Sequence, residues 1–469
     1  MSLHSQLHAL DLSEVAALIA SRQLSPVDLV AAALDRISVL DPRLHAFITL
    51  TPDSALAQAK AAESELARGR YRGPLHGIPI AHKDIVSTEG VRTTAHSRSL
   101  IDWVPSENAT VVERLREAGA ISLGKTSLHE FGIGSPGVDE AFPPARNPWN
   151  PEHMPGSSSS GSATAVASGF VWGATGTDTG GSVRHPAAAC GIVGMKPTYG
   201  RVSCYGVLPL AHSMDHVGPL TRSVFDNALM LQAMAGFDPK DPASLKMKAP
   251  CFALQIGRGL QGMHLGIPGR FIKSIPHEPE VLAAFDAAKA VLGDLGATFA
   301  EVDPEGLVDA FDAGTLIIRY EGYRYHREQL DRKPENYGEN MRARFIGAEK
   351  ISGRDYEEAK ACMNLVRRSM AKIHESGIDL IINPGRERPA QTMKELYADP
   401  LGKRSGALRI HSVTGNPAMV QPMGFSSQGL PLALQLAGPP LREDLIYRVA
   451  AAYERATQWH NRRPDLDAL

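Results

Sequence analysis

Between Pro155 and Pro186 the chain sets two loops of nearly bare backbone around one short helix-and-strand unit. The first loop is Pro155-Gly156-Ser157-Ser158-Ser159-Ser160-Gly161-Ser162, and the second runs Gly176-Thr177-Asp178-Thr179-Gly180-Gly181-Ser182-Val183-Arg184-His185-Pro186. Residues 163–168 read as a helix and 171–177 as a strand. The same alternation precedes them, with a buried strand in Gly77-Ile78-Pro79-Ile80-Ala81-His82-Lys83-Asp84, a helix at 110–118 and a strand at 120–123. Further strands are expected at 264–267, 378–382 and 432–436, and helices at 280–292, 356–374 and 443–457. Helix and strand alternating at this length predict an α/β fold: one large domain with a central mixed β-sheet covered by helices on both faces.

The N-terminal part, 1–68, reads as a helical wrap. Ser13 is expected to cap a helix at 14–22. Ser25 caps the next, with Pro26 at its first position, and that helix stops near Val39 before Asp41-Pro42. A third spans 54–68 and ends at Gly69. Residues 69–235 form the core that carries the two loops. Residues 236–469 complete the same core, with 240–350 as the least regular, substrate-facing part. No linker divides the chain.

Composition narrows the function classes. Charged residues make up 21% and the formal charge is -2, which gives no reason to expect nucleic acid or an anionic membrane as a partner. The four cysteines, Cys190, Cys204, Cys251 and Cys362, lie far apart without a C-x-x-C pair, which fits a reducing, cytoplasmic setting better than a disulfide scaffold or zinc site. No signal-peptide pattern or membrane-length apolar run is evident. His212 and His216, four residues apart in a Pro/Gly-rich segment, lack a third ligand, so no metal or cofactor is expected.

Gly119-Ala120-Ile121-Ser122-Leu123-Gly124-Lys125-Thr126 matches the phosphate-binding pattern G-x-x-x-x-G-K-[ST]. A phosphate loop needs a strand before its first glycine and a helix after its Lys-Thr. Here a helix comes first and the intervening residues read as the strand, so nucleotide binding is the remote alternative.

Two serine-bearing loops near a lysine suggest a different chemistry. A serine hydroxyl needs a base to become nucleophilic. There is no G-x-S-x-G elbow. His185 is expected to lie past the nucleophile. Lys83, at the end of an apolar strand, is either a base or the partner of Asp84.

Together these residues resemble the amidase signature family of serine hydrolases. Residues 176–186 fit its G-T-D-x-G-G-S-[IV]-R-x-P motif at every fixed position, and 190–203, 215–223 and 429–435 extend the likeness. The resemblance implies a triad of Lys83 as base, Ser158 as relay across a cis peptide bond, and Ser182 as nucleophile. It implies an oxyanion hole from the amides of Thr179, Gly180, Gly181 and Ser182, with Asp178, Arg184 and Ser159 in support. Ser157 departs from the family, which has glycine there. The acyl pocket falls on Gly132, Ile133 and Gly134. Arg324 is the candidate anchor for a substrate carboxylate. Ser405 and Ser412 occupy the places where the glutamine-using amidotransferase of this family has an aspartate and an asparagine. The expected activity is hydrolysis of a linear small-molecule amide. Carbamate or urea-derived substrates, or an amidotransferase A-type role, stand as alternatives. The expected partner is a small amide alone, without nucleic acid or membrane; a homodimer stays open.

Overall fold

The computed structural model describes residues 7–399 and 406–467. Its centre is one mixed sheet of eleven strands: β1 (Phe47–Leu50), β2 (Pro79–Lys83), β3 (Ile121–Thr126), β4 (Gly173–Thr177), β5 (Val193–Lys196), β6 (Val217–Thr221), β7 (His264–Ile267), β8 (Thr298–Glu301), β9 (Leu380–Pro384), β10 (Ala418–Phe425) and β11 (Pro431–Ala437). Their spatial order is β1-β3-β2-β4-β6-β5-β10-β11-β9-β7-β8. The α/β expectation holds. β2 runs parallel to both β3 and β4, and β7 parallel to β8 and β9, while β5, β6, β10 and β11 pair antiparallel. β2, β4 and β9 are buried at every position, as strands covered on both faces must be.

The N-terminal helices sit close to expectation, with two corrections at their ends. The first is Leu12–Ala20, capped by Asp11 rather than Ser13; the Asp11 and Glu14 side chains close a capping box. The second, Pro26–Leu44, begins where Ser25 accepts from Val27 and Asp28 but carries Pro42 inside its last turn. Proline there removes one N–H near an end, and the Asp41 carboxylate takes the amides of Ala46 and Phe47, so the helix finishes at a left-handed His45.

The segment 240–350 is more regular than its charge content suggests. It holds β7, β8 and a 23-residue helix, Ala310–Arg332, whose buried stripe of Gly314, Ile317, Ile318 and Gly322 faces the core. That helix packs against Gly353–Glu375 and Gly406–Thr414 and supplies one wall of the cavity described next. No helix among the described residues is long and apolar enough to cross a membrane.

Candidate active site

The site forms where β2 and β4, parallel neighbours, both end. Their register pairs His82 with Thr175, which places Lys83 and Thr177 side by side at the carboxyl edge of the sheet. Lys83 is fully buried. Its Nζ lies 2.8 Å from Ser158 Oγ and 2.7 Å from Thr177 Oγ1, and among the described residues it forms no ion pair. Burial brings its pKa down to about 7, against a smaller upward pull from Asp178 and Asp215. The lysine is therefore poised between its charged and neutral forms near neutral pH.

Asp84, the alternative partner, faces elsewhere. Its Oδ2 accepts from Thr94 N and Oγ1 at 2.9 and 2.6 Å, and its Oδ1 pairs with Lys125 at 3.7 Å. Lys125 itself is buried on β3 and donates to Val86 O and Thr93 Oγ1. Gly119, at φ +89°, follows the helix Thr110–Glu117, and Gly124-Lys125-Thr126 belong to the strand. The phosphate-loop reading fails on this geometry, since neither a following helix nor an exposed lysine is present.

Ser158 is buried and follows a cis peptide bond at Ser157–Ser158, where the resemblance placed it. Its loop is pinned from both sides. Ser159 N donates to Ser182 O at 3.2 Å, and Ser159 Oγ bridges to Thr177 N and O at 3.3 Å each. Ser159 thus ties the loop of Ser158 to the loop of Ser182 and to β4. Ser157 N donates to His185 Nδ1 at 2.8 Å, and Ser157 lines the cavity.

Asp178 organises the second loop. Its carboxylate receives Arg184 Nε and Nη2, both at 2.9 Å, and the amide of Gly181 at 2.8 Å. Burial alone would raise this carboxyl; the Arg184 guanidinium outweighs it and holds the group well below the usual carboxylate range. Arg184 reaches onward to Leu408 O (2.6 Å), Gln435 Oε1 (2.8 Å) and Ser412 Oγ (2.8 Å). Gly181, at φ +116°, turns the chain so that Ser182 stands partly exposed. One expectation changes here. The Gly181 amide is already committed to Asp178, so the amides of this loop without a partner among the described residues are those of Thr179, Gly180 and Ser182. The Ser182 hydroxyl makes no hydrogen bond among the described residues; such contacts commonly tighten when substrate arrives.

Ser182 opens into a cavity of about 310 Å³. Gly132, Ile133 and Gly134 line it as expected, with Thr179, Gly180 and Ser157. Arg324 does not. It is exposed and lies over the Tyr320 ring, 4.1 Å from the centroid. The helix carrying it turns a different face inward, and the arginines on the cavity wall are Arg319, Arg344 and Arg409. Arg319 comes from the same helix, five residues earlier. Arg344 and Arg409 carry no local sequence signal, because only the tertiary fold brings 344 and 409 beside 180. Ser412 is buried between Arg184 and Asp178 (3.1 Å to Oδ1) and does not line the cavity; Ser405 lies outside the described residues. His216 is buried and bonded to Met214 O through Nδ1, whereas His212 is exposed beside Glu321, so the two do not converge.

The amidase family model matches residues 28–447. The A chain of the glutamyl-tRNA(Gln) amidotransferase of Moorella thermoacetica is 39% identical over 486 residues, covering 98% of this chain and 99% of the relative. A chain from a complex described as revealing the evolutionary origins of an s-triazine catabolic enzyme superposes with a TM-score of 0.90 at 30% identity, covering 96% of this chain and 98% of that one. The native peptide amidase from Stenotrophomonas maltophilia superposes at 0.84 and 30% identity, covering 97% and 98%. The expectation of a small amide as sole partner, with nucleic acid excluded, is overturned: the Moorella relative is by name one component of an enzyme acting on a tRNA. Net charge misled there, because a whole-chain charge near zero does not by itself exclude a nucleic-acid partner.

Proposed function

This chain belongs to the amidase family, and on that premise we propose that it breaks an amide C–N bond through an acyl-enzyme on Ser182, with the carboxamide of glutamine as substrate, as the A-type component of a glutamyl-tRNA(Gln) amidotransferase. The observation that carries the chemistry is Lys83, a fully buried amine with no ion pair among the described residues, 2.8 Å from the Ser158 hydroxyl. In its neutral form Lys83 accepts the Ser158 proton as Ser158 takes that of Ser182. Ser182 Oγ attacks the carbonyl carbon. The oxygen that gains charge meets the amides of Thr179, Gly180 and Ser182, each such donor contributing about 3–4 kcal/mol. The C–N bond then breaks as the amine leaves with the proton returned from Lys83 through Ser158. Water enters by the same route in reverse and frees the acid. The extent of the likeness to the Moorella relative supports the glutamine reading.

A second reading has its own observation. Serine stands at 405 and 412, where the resemblance expects an aspartate and an asparagine, so no carboxylate from those places meets a substrate amino group. This favours an amide acid that lacks the α-amino group. Ammonia release from L-glutamine and from glutaramate (glutamine without its amino group), with and without co-expressed partner chains, separates the two. Labelling of Ser182 by a fluorophosphonate, lost in Ser182→Ala, tests the chemistry common to both. Labelling that persists in that variant sinks it.

A further inference from the structure

Among the described residues Arg409 forms no ion pair. It projects from the helix Gly406–Thr414 into the Ser182 cavity, where its Nη1 donates to Thr315 Oγ1 and its guanidinium lies 4.2 Å from the centre of the Phe311 ring. It presses against the oxyanion loop: a side-chain carbon added at Gly180 would stand 3.0 Å from Arg409 Nε. That Nε is buried and makes no hydrogen bond.

The contrast with other arginines of the interior is instructive. Arg184 faces Asp178 at 2.9 Å, Arg201 faces Glu443 at 3.3 Å, and Arg222 faces Asp11 at 3.4 Å. Arg409 forms no ion pair with any described residue, and residues 1–6, 400–405 and 468–469 contain no aspartate or glutamate. Asp312 acts on it only from longer range. Burial lowers its pKa to about 10, so it stays charged at neutral pH. Arg409 is half-buried overall, but an Nε withdrawn from water with no acceptor and no ion pair beside it is costly, and here it borders space that a ligand can enter. On the same wall Arg319 spends its donors on the carbonyls of Arg344 and Ile346 at 3.2 and 2.6 Å, and Arg344 reaches Ser135 Oγ at 3.4 Å.

We infer that Arg409 is a specificity-determining residue: it takes a carboxylate of the substrate beside the oxyanion loop, and so selects amides that carry an acid group over neutral amides of the same size. A planar fork matches a carboxylate with two donors, which an uncharged amide cannot replace. The inference rests on Ser182 being the attacking hydroxyl of this cavity.

The test compares glutaramate with pentanamide, which differ by one carboxylate. The wild type is expected to favour glutaramate, and Arg409→Met to lower the ratio of the two kcat/KM values about 100-fold, mostly through KM for glutaramate. Arg409→Lys should recover about tenfold of that ratio. Thr315→Val keeps the charge but removes the hydroxyl that positions Nη1, and should lower the ratio by less than about tenfold. It carries the test if Arg409→Met fails to fold, and an unchanged ratio there then overturns the inference. For a readout independent of turnover, glutarate should slow fluorophosphonate labelling of Ser182 in the wild type and not in Arg409→Met. A ratio unchanged in Arg409→Met, or glutarate protection that survives it, overturns the inference. Absence of Ser182 labelling in the wild type would instead strike the reading of the cavity itself.

Discussion

Lys83 and Lys125 lie on neighbouring strands, one register step apart (His82 pairs with Lys125, Lys83 with Thr126), and both are wholly buried. Lys125 has Asp84 at 3.7 Å and a carbonyl to donate to. Lys83 has two hydroxyls and, among the described residues, no ion pair. Both are pulled down by burial, Lys125 to about 8 and Lys83 to about 7. The difference teaches that burial alone does not make a lysine a base. What matters is whether the neighbourhood can replace the lost water with a counter-charge. Lys125 has an ion-pair partner in contact; Lys83 has hydroxyls in contact and carboxylates only at longer range, and its ammonium is held closer to losing its proton.

The largest effect expected is on turnover. Lys83→Ala should cut kcat/KM about 10²–10⁴-fold, the range for a lost general base, while leaving the circular dichroism spectrum intact. An unchanged rate would end the assignment. Next comes stability. Lys125→Met leaves Asp84 buried with only its Thr94 bonds, and should cost about 3 kcal/mol in denaturant unfolding; a neutral outcome would mean that the pair is not coupled. Third is pH. Lys83 acts as a base only when neutral, so kcat/KM should fall about tenfold per pH unit below about 7 and level off above it. A profile flat from about pH 5 to 8 would contradict this.

The smallest effect is the most telling. Lys83 binds fewer protons in the folded chain than unfolded between about pH 7 and its ordinary value of 10.5. Its contribution to folding is therefore most unfavourable below about pH 7, is relieved as pH rises through that window, and vanishes above 10.5. Lys83→Met removes that burden but forfeits two hydrogen bonds, leaving a net gain of about 1–2 kcal/mol at neutral pH. The two lysine-to-methionine changes should thus move stability in opposite directions, and equal signs would erase the distinction between the sites.

The chain is most legible where chemistry is local. The loop 176–186 announces its turn, its Asp178–Arg184 pair and Ser182 within eleven consecutive residues, and β7 and the helix Glu443–Thr457 lie where periodicity puts them. Lys83 is visible as a charge at a strand end, but its true neighbours, Ser158 and Thr177, lie 75 and 94 residues away. Its adjacent residue Asp84 belongs to Lys125 because backbone neighbours on a strand point to opposite faces. The cavity wall is least legible. Arg324 stands out in a tyrosine-rich run, yet the rotation of one long helix turns it outward and Arg319 inward, and no local pattern marks Arg344 or Arg409. The Gly181 amide cannot be known to be occupied until the Asp178 carboxylate has been placed.

Arg184 anchors the loop of Ser182 to atoms of residues 408, 412 and 435. Lys83, Ser158 and Ser182 all precede residue 183, but the atoms that hold the loop of Ser182 through Arg184 come only at residues 408, 412 and 435. During synthesis, then, order comes late: a nascent chain that has emerged just past Ser182 carries the proposed triad but lacks the partners of Arg184 at 408, 412 and 435. A protein nicked between the two halves should stay active only while both pieces remain together, and re-mixing separately purified halves should restore labelling of Ser182 that neither half shows by itself.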